Sequence, residues 1–368
     1  MKILQIINSL GTGGAEKLLL DLLPKYNAQG IQMDILLLWN NDHQFTNALQ
    51  ELDCCKVYIL SESLRVKDVY KLSHIFKMKS IMKDYDIAHV HLFPAQYFAV
   101  AANMLNGNKT KLVFTEHNTT NSRISKSYFK PLESFVYRRY QRLVCISPEI
   151  ENIYKKYLKF PNEYYQIIEN GVDLTSCKDI IPIPRSAINV NLSESDKLLV
   201  QVAGFRKQKD QDTVICALAE LPEEYKLVLV GDGERRTILE NLVNKNGLAH
   251  RVFFLGQRTD VLGIIKSCYL AIMSSHYEGF GIAALESMAC GIPTVASNVK
   301  GLANVVQNGG VLFETGNVKE LVTIIKKFDD SFYYQSISEN GIKRSEQYGI
   351  NKMIQKHIEL YRELYNKN

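Results

Sequence analysis

The chain contains the apolar run Leu270-Ala-Ile-Met-Ser274 and, after two further residues, the segment Tyr277-Glu-Gly-Phe-Gly-Ile-Ala-Ala-Leu-Glu286. A short apolar run of this kind is typical of a strand that is buried in a parallel sheet. Gly279 and Gly281 suit a loop, and Ile282–Ala289 has a helical pattern. The sequence therefore predicts a strand, a loop and a helix in immediate succession.

The same alternation of short apolar runs and amphipathic segments extends over nearly the whole chain. Strands are predicted in the first half at Lys2–Asn8, Met33–Trp39, Lys56–Leu60, Ile87–His91, Lys111–Glu116 and Leu143–Ser147. Strands are predicted in the second half at Leu198–Gly204, Lys226–Gly231, Val252–Gly256, Leu270–Ser274, Pro293–Ser297 and Val311–Phe313. Helical patterns, such as Glu234–Asn246 and Val318–Phe328, lie between them. The fold class is therefore α/β, with doubly wound, Rossmann-like parallel sheets.

The alternation is interrupted once, from about Gly171 to Asp196, where prolines and a polar stretch break any period. A length of 368 residues also favours two domains. We predict an N-terminal domain at residues 1–180 and a C-terminal domain at residues 181–349. The amphipathic segment 350–366 is expected to form a helix that packs on the N-terminal domain. Two such domains would face each other across a cleft, with ligands beyond the carboxyl ends of the strands.

Composition excludes several classes of protein. The net charge of +5, from 44 basic and 39 acidic residues, is too small to indicate a nucleic-acid-binding protein. The seven cysteines are scattered without zinc-site spacing, which favours free thiols in a reducing compartment. The N-terminal apolar stretch is too short for a secretory signal, and no apolar run approaches the roughly 18 residues of a membrane span. We expect a cytoplasmic protein that contacts membranes only peripherally, from the inner face.

Residues 109–142 contain eight basic side chains but only two acidic ones. Helical spacing relates Phe129, Leu132, Val136, Tyr140 and Leu143, and the accompanying charges are Lys126, Lys130, Arg138, Arg139 and Arg142. Val66–Lys83 combines apolar and basic residues in a similar way. Such helices either lie on anionic lipid or turn their apolar face to the core. Our hypothesis is that residues 123–142 dock on an anionic membrane surface and that the acceptor is a lipid-linked glycan.

Two motifs could bind phosphate. Gly11-Thr-Gly-Gly-Ala-Glu16 follows the first strand and precedes a helix, so it is either a phosphate-facing loop or a tight turn without a ligand. Glu278 and Glu286 lie about 12 Å apart along a helical rise, too far for the paired carboxylates of a glycosidase. The helix N-terminus between them favours a phosphate, whereas the carboxylates would accept hydrogen bonds from hydroxyls. This arrangement suits a sugar that is joined through a diphosphate to a ribose.

Glu278–Glu286, continued by Ser-Met-Ala-Cys-Gly-Ile-Pro-Thr-Val-Ala-Ser297, resembles the E-x7-E signature of retaining family 4 glycosyltransferases, which have the two-lobed GT-B fold. Further pieces that resemble this family stand in the same order along almost the entire chain. They are Gly13-Gly-Ala-Glu16, His89-Val-His91, Thr115-Glu-His-Asn118, Asn170-Gly-Val-Asp173, Leu229-Val-Gly-Asp-Gly-Glu234 and Phe254-Leu-Gly256. The resemblance implies that a nucleotide sugar binds mainly the C-terminal lobe and that the acceptor binds mainly the N-terminal lobe.

The resemblance also implies roles for single residues. Glu286 would bind the ribose hydroxyls, and Glu278 would contact the donor sugar. Backbone amides of Phe280, Gly281 and Ile282 would hold the sugar and the diphosphate. Lys209 would neutralise the leaving diphosphate, on which negative charge grows as the bond breaks.

In the N-terminal domain, His117 resembles the active-site histidine that contacts the donor sugar. Gly13 and Gly14 would let the N-terminal loop approach the phosphates or the acceptor. The chain departs from the family at Gly204, where members commonly have an arginine. Arg206 either reaches the same phosphates or is a surface residue.

The catalytic residues implied are thus His117, Glu278 and Lys209, in a metal-independent hexosyltransferase that uses no cofactor beyond its nucleotide-sugar substrate. The carboxylate pairs Asp84/Asp86 and Asp210/Asp212 are interpreted as structural, since one precedes a strand and the other opens a helix. The predicted function is sugar transfer to a glycan or lipid-linked glycan in cell-surface polysaccharide biosynthesis. Two alternatives remain, a nucleotide-sugar epimerase of the same fold and a non-catalytic two-lobed sugar-binding protein.

Overall fold

A computed structural model describes residues 1–11, 13–118, 123–124 and 126–367. Thr12 of the predicted glycine-rich loop and Ser125 of the predicted membrane segment lie outside the described residues. The chain divides into two compact units. The first unit comprises Met1–Asn170 and Ile350–Asn368, and the second comprises Gly171–Gly349.

Strands and helices alternate in both units. The strands are β1 (Lys2–Ile7), β2 (Gln32–Leu37), β3 (Val57–Ile59), β4 (Ile87–His91), β5 (Lys111–Glu116), β6 (Arg142–Cys145), β7 (Tyr165–Ile167), β8 (Lys197–Val202), β9 (Tyr225–Val230), β10 (Val252–Gly256), β11 (Leu270–Met273), β12 (Thr294–Ser297) and β13 (Val311–Phe313). The α-helices are α1 (Gly14–Ala28), α2 (Gln44–Glu51), α3 (Ser73–Met82), α4 (Ala95–Leu105), α5 (Lys130–Tyr137), α6 (Pro148–Leu158), α7 (Leu174–Asp179), α8 (Arg185–Ile188), α9 (Gln211–Ala219), α10 (Arg236–Lys245), α11 (Val261–Lys266), α12 (Ile282–Ala289), α13 (Leu302–Val306), α14 (Val318–Lys327), α15 (Ser331–Ser345) and α16 (Ile350–Asn366). Short 3-10 helices occur at Val66–Tyr70, Ser127–Phe129, Asn162–Tyr164, Lys207–Lys209 and Glu346–Tyr348.

The first unit is built on a parallel sheet. Its seven described strands lie in the order β3-β2-β1-β4-β5-β6-β7. The order reverses between β1 and β4, and at such a point the loops beyond the carboxyl ends of the strands diverge and leave room for a ligand. Side chains on both faces of β1 are buried, because helices cover both sides of the sheet. One of these cores contains residues from β1, α1 and α16.

The second unit repeats this architecture. Its six described strands are all parallel and lie in the order β10-β9-β8-β11-β12-β13. The order reverses between β8 and β11, which pair through Leu199 and Leu270. The predicted fold class, two doubly wound parallel-sheet domains, is therefore confirmed.

The boundary between the units differs from the predicted one. It falls after Asn170 instead of after residue 180. The residues that follow it are tied to the second unit, since Val172 bridges to Gly349 and α7 packs against α12. The C-terminal helix α16 belongs to the first unit, where it packs against α1.

Two local predictions are corrected. The helical spacing from Phe129 to Leu143 does not correspond to one helix, because α5 ends at Tyr137 and Leu143 lies in β6, paired with Phe114 of β5. Val66–Lys83 is divided into a 3-10 turn and α3, which begins at Ser73. Strand β7 was not predicted, since its three residues are too few to show a period. Among the described helices, none combines the length and the apolarity that crossing a membrane requires.

The core of the first unit contains a cluster of histidines. Burial lowers the pKa values of His89 and His91 well below the ordinary value and lowers the pKa of His357 to about 3. Nδ1 of His357 lies 2.6 Å from the Tyr26 hydroxyl. These rings are therefore neutral in the folded unit at neutral pH, whereas the same rings would be protonated in the unfolded chain below a pH of about 6.5.

We predict that acid destabilises the first unit and that His357→Gln weakens this dependence. As the pH falls from about 6.5 towards the folded pKa, the unfolded state binds protons that the folded state does not, so the free energy of unfolding decreases. The glutamine does not titrate, and its side-chain amide can still form a hydrogen bond with the Tyr26 hydroxyl. Urea unfolding followed by the fluorescence of Trp39, the only tryptophan in the sequence, measures this unit alone.

The matched control is His250→Gln, which changes an exposed histidine of the second unit. It should leave the pH dependence of Trp39 unfolding as in the wild type. Equal slopes for wild type and His357→Gln would contradict the prediction.

Candidate active site

The reversal of strand order in the second unit brings two loops together. The β8 loop, residues 203–210, and the β11 loop, residues 274–281, leave adjacent parallel strands at the same edge of the sheet. Lys209 ends the first loop, and Glu278 lies in the second. The Lys209 ammonium contacts a carboxylate oxygen of Glu278, and both side chains are about one-fifth exposed. Two predicted site residues that are 69 positions apart in the sequence thus meet.

Asp210 holds the end of the β8 loop. Its backbone is left-handed, with φ 46°, and its side chain is buried. The sequence predicted that this carboxylate would help the N-terminus of a helix, but it makes no capping hydrogen bond. It instead accepts hydrogen bonds from the Thr213 hydroxyl at 2.7 Å and from the Ser274 hydroxyl at 2.9 Å. Because Ser274 begins the β11 loop, this corrected role of Asp210 links the two loops.

Two further contacts fix the same pair of loops. The Gln201 side chain donates to the carbonyl of Lys209 at 2.8 Å. The backbone N–H of His276 donates to the carbonyl of Gln208 at 2.8 Å. These supporting residues were not predicted from the sequence, although one polar residue, Gln201, interrupts the apolar run Leu198–Val202. Buried polar groups of this kind are retained where they are hydrogen-bonded, and here they position Lys209.

Asp212 and Asp86, one from each of the two carboxylate pairs, have local partners. Asp212 forms a salt bridge with Arg235 at 2.7 Å. Asp86 accepts a hydrogen bond from the backbone N–H of Lys2 at 2.7 Å, at the edge where β1 begins. These contacts account for both carboxylates without a ligand.

Helix α12 begins directly after the β11 loop. Its N-cap, Gly281, has φ 96°, and no side chain caps the helix, so among the described residues no side chain accepts a hydrogen bond from its first N–H groups. Phe280 is buried and packs edge-on against Tyr348, with ring centroids 5.5 Å apart. Ile282 is the first residue of the helix, and Glu286 lies one turn further on, half-buried. The exposed Arg206 precedes the 3-10 turn that ends at Lys209.

The β11 loop rests on Gly301, the residue before α13. Gly301 has φ 84°, and a Cβ built there would lie 2.3 Å from the carbonyl oxygen of Glu278 and 2.9 Å from that of Gly279. Only glycine allows the backbone to approach this closely. The placement of Glu278 therefore depends on a residue 23 positions further along the chain.

In the first unit, the other predicted residues lie near the carboxyl ends of β1 and β5. Gly13 is the N-cap of α1, and Gly14 is its first residue. His117 directly follows β5. Ala15 of α1 and His117 line the same small cavity, whose wall includes His91 and Gln5. The structure thus brings the glycine loop and His117 close to one another within this unit.

His117 is bound to the core through a second histidine. Its Nε2 lies 3.0 Å from Nδ1 of His91. Burial lowers the pKa of His117 to about 4, so the ring is neutral at neutral pH. The neighbouring Glu116 is buried, and burial raises its pKa although the hydroxyls of Tyr137 and Tyr154 and the N–H of Asn118 hydrogen-bond to it.

We predict that Gly301→Ala destabilises the second unit more than Gly316→Ala does. Both glycines have positive φ, but a Cβ at position 316 has no neighbour within 4 Å. The free energy of unfolding should fall further in Gly301→Ala than in Gly316→Ala, by about 1 to 3 kcal/mol as in overpacked cores, because the added methyl group displaces the β11 loop. Far-UV circular dichroism during urea unfolding measures this difference, and the unfolding transition followed by Trp39 fluorescence should stay unchanged. Equal losses for the two variants would contradict the close approach at Gly301.

The chain matches two models of protein families. Residues 12–176 match Glycosyltransferase Family 4, and residues 184–344 match Glycosyl transferases group 1. A relative, the N-acetyl-alpha-D-glucosaminyl L-malate synthase of Bacillus anthracis, is 28% identical over 79% of both chains. A second is the N-acetylgalactosamine-N,N'-diacetylbacillosaminyl-diphospho-undecaprenol 4-alpha-N-acetylgalactosaminyltransferase of Campylobacter jejuni, 26% identical over 87% of this chain and 88% of the relative.

A solved structure has the same fold. Anabaena Alr3699/HepE, in complex with UDP and glucose, superposes with a TM-score of 0.84 at 23% identity and covers 98% of this chain and 99% of that one. Together the two family models account for most of the chain, in the order that the motifs predicted. The chain therefore belongs to the family 4 glycosyltransferases, which have the GT-B fold.

Proposed function

We propose that this glycosyltransferase moves a sugar from a nucleotide-sugar donor to a glycan or lipid-linked glycan, with retention at the anomeric carbon and without a metal ion. The observation that carries the proposal is the contact of Lys209 with Glu278 beside the uncapped N-terminus of α12. A cation and free helix N–H groups suit a diphosphate, and a neighbouring carboxylate suits sugar hydroxyls. The Anabaena structure, solved with UDP and glucose, supports a nucleotide sugar as donor.

Each residue has a distinct part in this proposal. The N–H groups of Phe280, Gly281 and Ile282 hold the diphosphate and the sugar, and Glu286 accepts hydrogen bonds from the ribose hydroxyls. Lys209 exchanges its contact with Glu278 for the diphosphate when the donor binds. Glu278 is then available to accept hydrogen bonds from the donor sugar.

Catalysis follows from the growth of charge on the leaving diphosphate. The Lys209 ammonium and the helix N–H groups stabilise the developing negative charge more strongly than the charge of the bound donor, which lowers the barrier. The Gln201 and Asp210 contacts hold the loop in advance, so little reorganisation is needed. Because these groups supply the compensating charge, we propose that a metal is not required. Arg206 is the proposed second cation, in place of the arginine that is absent at Gly204.

In the first unit, we propose that His117 contacts the donor sugar and that the loop at Gly13 and Gly14 approaches the phosphates or the acceptor. Retention and transfer to a polysaccharide precursor rest on the resemblance of the Glu278–Glu286 segment to the family signature. The name of the Campylobacter relative specifies a diphospho-undecaprenol compound, which supports a lipid-linked acceptor here. The seven free cysteines suit a reducing, cytoplasmic compartment.

A panel of nucleotide sugars tests the function. We expect nucleotide release from one donor, more slowly without an acceptor, and unchanged by a chelator.

Glu286→Ala should weaken donor binding about 10- to 100-fold, because a charge-assisted hydrogen bond contributes about 1.5 to 3 kcal/mol. Glu278→Gln should abolish most of the release. The configuration of the product at its anomeric carbon, read by proton NMR, tests retention.

The matched control is Glu339→Ala, which changes an exposed glutamate of α15 in the same unit. It should bind and turn over the donor as the wild type does. Intact donor affinity in Glu286→Ala would contradict its assigned role, and conversion of the donor into an isomeric sugar without any acceptor would indicate an epimerase.

Peripheral membrane contact remains a proposal, and the described surface favours a different set of residues from the predicted one. In residues 123–142, Arg142 is paired with Glu363, and Arg123 is paired with the buried Glu133. Arg138 and Arg139 lie over aromatic rings at 5.6 and 4.9 Å. These cations are thus already engaged by the protein itself.

The segment 64–76 offers more apolar surface. Leu64, Leu72 and Phe76 are 86%, 70% and 67% exposed, and several basic residues lie among them. The ring of Tyr70 lies 6.2 Å from that of Phe93, over which Arg123 stacks at 4.1 Å. The two segments therefore adjoin at Phe93. We propose that this joint surface contacts anionic lipid, where each basic residue contributes about 1 kcal/mol.

We predict that the double variant Leu72→Ser and Phe76→Ser partitions less to anionic liposomes than the wild type, because two exposed apolar side chains no longer insert. Co-sedimentation measures this partitioning. The control is Phe332→Ser, which changes an 85% exposed aromatic residue of the second unit. Equal binding by the double variant and the control would remove the basis for this surface. Unchanged partitioning after Arg138, Arg139 and Arg142 are replaced by alanine would remove the basis for the predicted segment 123–142.

A further inference from the structure

A chain of hydrogen bonds leads from His117 into the core of the first unit. Nε2 of His117 lies 3.0 Å from Nδ1 of His91, and Nε2 of His91 lies 2.8 Å from Oε1 of Gln5. Nε2 of Gln5 lies 3.3 Å from both the Met33 sulfur and the Tyr361 hydroxyl. Each link has a donor and an acceptor, so the protons of the chain are assignable one by one.

The Met33 sulfur determines the orientation of the Gln5 amide. A thioether sulfur only accepts hydrogen bonds, so the amide group that faces it must be the NH2. The carbonyl oxygen of Gln5 consequently faces His91. A carbonyl accepts, and Nε2 of His91 therefore carries a proton.

The Tyr361 side of the chain agrees with this orientation. The Tyr361 hydroxyl accepts hydrogen bonds from Gln5 and from the Tyr26 hydroxyl, so its own proton is available to Nδ1 of His89 at 2.6 Å. Nε2 of His89 then donates to the Thr115 hydroxyl, also at 2.6 Å. Both ring nitrogens of the neutral His89 are therefore hydrogen-bonded.

The position of the proton on His91 determines which ring donates in the hydrogen bond between His91 and His117. His91 is buried and neutral, so a proton on Nε2 leaves its Nδ1 as a lone pair. That lone pair must accept from Nε2 of His117. Since His117 is neutral as well, its Nδ1 has no proton, and no described residue hydrogen-bonds to that atom.

We propose that Gln5 and His91 are positioning residues that fix His117 in the Nε2–H tautomer, so that its Nδ1 accepts a hydrogen bond from a donor-sugar hydroxyl. The inference rests on the proposed contact of His117 with the donor sugar. An acceptor cannot bind a phosphate oxygen, which is itself an acceptor. His117 therefore accepts a hydrogen bond from a hydroxyl of the sugar, and other groups bind the diphosphate.

Two variants of His91 separate positioning from packing. In His91→Asn, the side-chain oxygen can take the place of Nδ1 and accept from His117. In His91→Leu, no acceptor is left, and both tautomers of His117 become accessible. Gln5→Met, which removes the group that orients His91, is a third variant for the case that His91→Leu does not fold. Trp39 fluorescence reports whether the first unit is folded in each variant.

The direct measurement is long-range nitrogen–proton NMR on the full chain labelled with 15N-histidine, with His117→Gln used for assignment. We expect the wild type and His91→Asn to show only protonated Nε2 at His117. His91→Leu and Gln5→Met should lose this single pattern and show both tautomers. A wild-type His117 with its proton on Nδ1, or a single Nε2–H tautomer in both His91→Leu and Gln5→Met, would overturn the proposal.

Kinetics with the donor that the release assay selects give a second readout. His91→Leu should raise the KM for the donor about tenfold, the equivalent of one hydrogen bond, and His91→Asn should restore most of it. The NMR result needs no donor and so stands apart from the proposed function. If the tautomers behave as expected but His117→Ala leaves the KM unchanged, the contact with the sugar is wrong while the assignment of the protons holds.

Discussion

Parallel pairing of β8 with β11 is the constraint on which the candidate site in the second unit depends. These strands are adjacent because the strand order reverses between them, and parallel strands end at the same edge of the sheet. Their following loops are forced into contact, and Lys209 meets Glu278 there. A different strand order would leave the same two residues on unrelated parts of the surface.

The loops themselves are held by buried polar groups, whose burial is favourable only while they are hydrogen-bonded. Asp210 takes a left-handed backbone conformation, and its carboxylate accepts hydrogen bonds from Thr213 and Ser274. Gly301 adds a contact so close that a methyl group would not fit. Lys209 and Glu278 are therefore held in place by residues of the two loops and by the glycine that supports them.

The first unit uses its buried polar groups differently. The second unit brings opposite charges into contact, whereas the first keeps its histidines neutral by desolvation and satisfies them through hydrogen bonds. A neutral imidazole has one hydrogen-bond donor and one acceptor. In a chain of hydrogen-bonded imidazoles, the innermost partner therefore determines which nitrogen of each ring donates and which accepts. Here that partner is Gln5, which the Met33 sulfur orients. In the proposed arrangement, Gln5 thereby decides which ring nitrogen of His117 carries the proton.

Features that depend on near neighbours along the chain could be predicted from the sequence. The alternation of apolar runs and amphipathic segments gave the two parallel sheets, and the spacing of Gly279, Gly281 and Glu286 gave a loop followed by a helix. It did not reveal Asp210 as a link between loops, the end of α5 at Tyr137, or the direction of the bonds from Gln5 to His117, because each depends on residues distant in sequence. Which loops are neighbours, and which buried polar groups share a hydrogen bond, became evident from the folded chain alone. The physical reason is that periodicity records the burial of a single segment, whereas strand order and hydrogen-bond partners are set by the packing of all segments together.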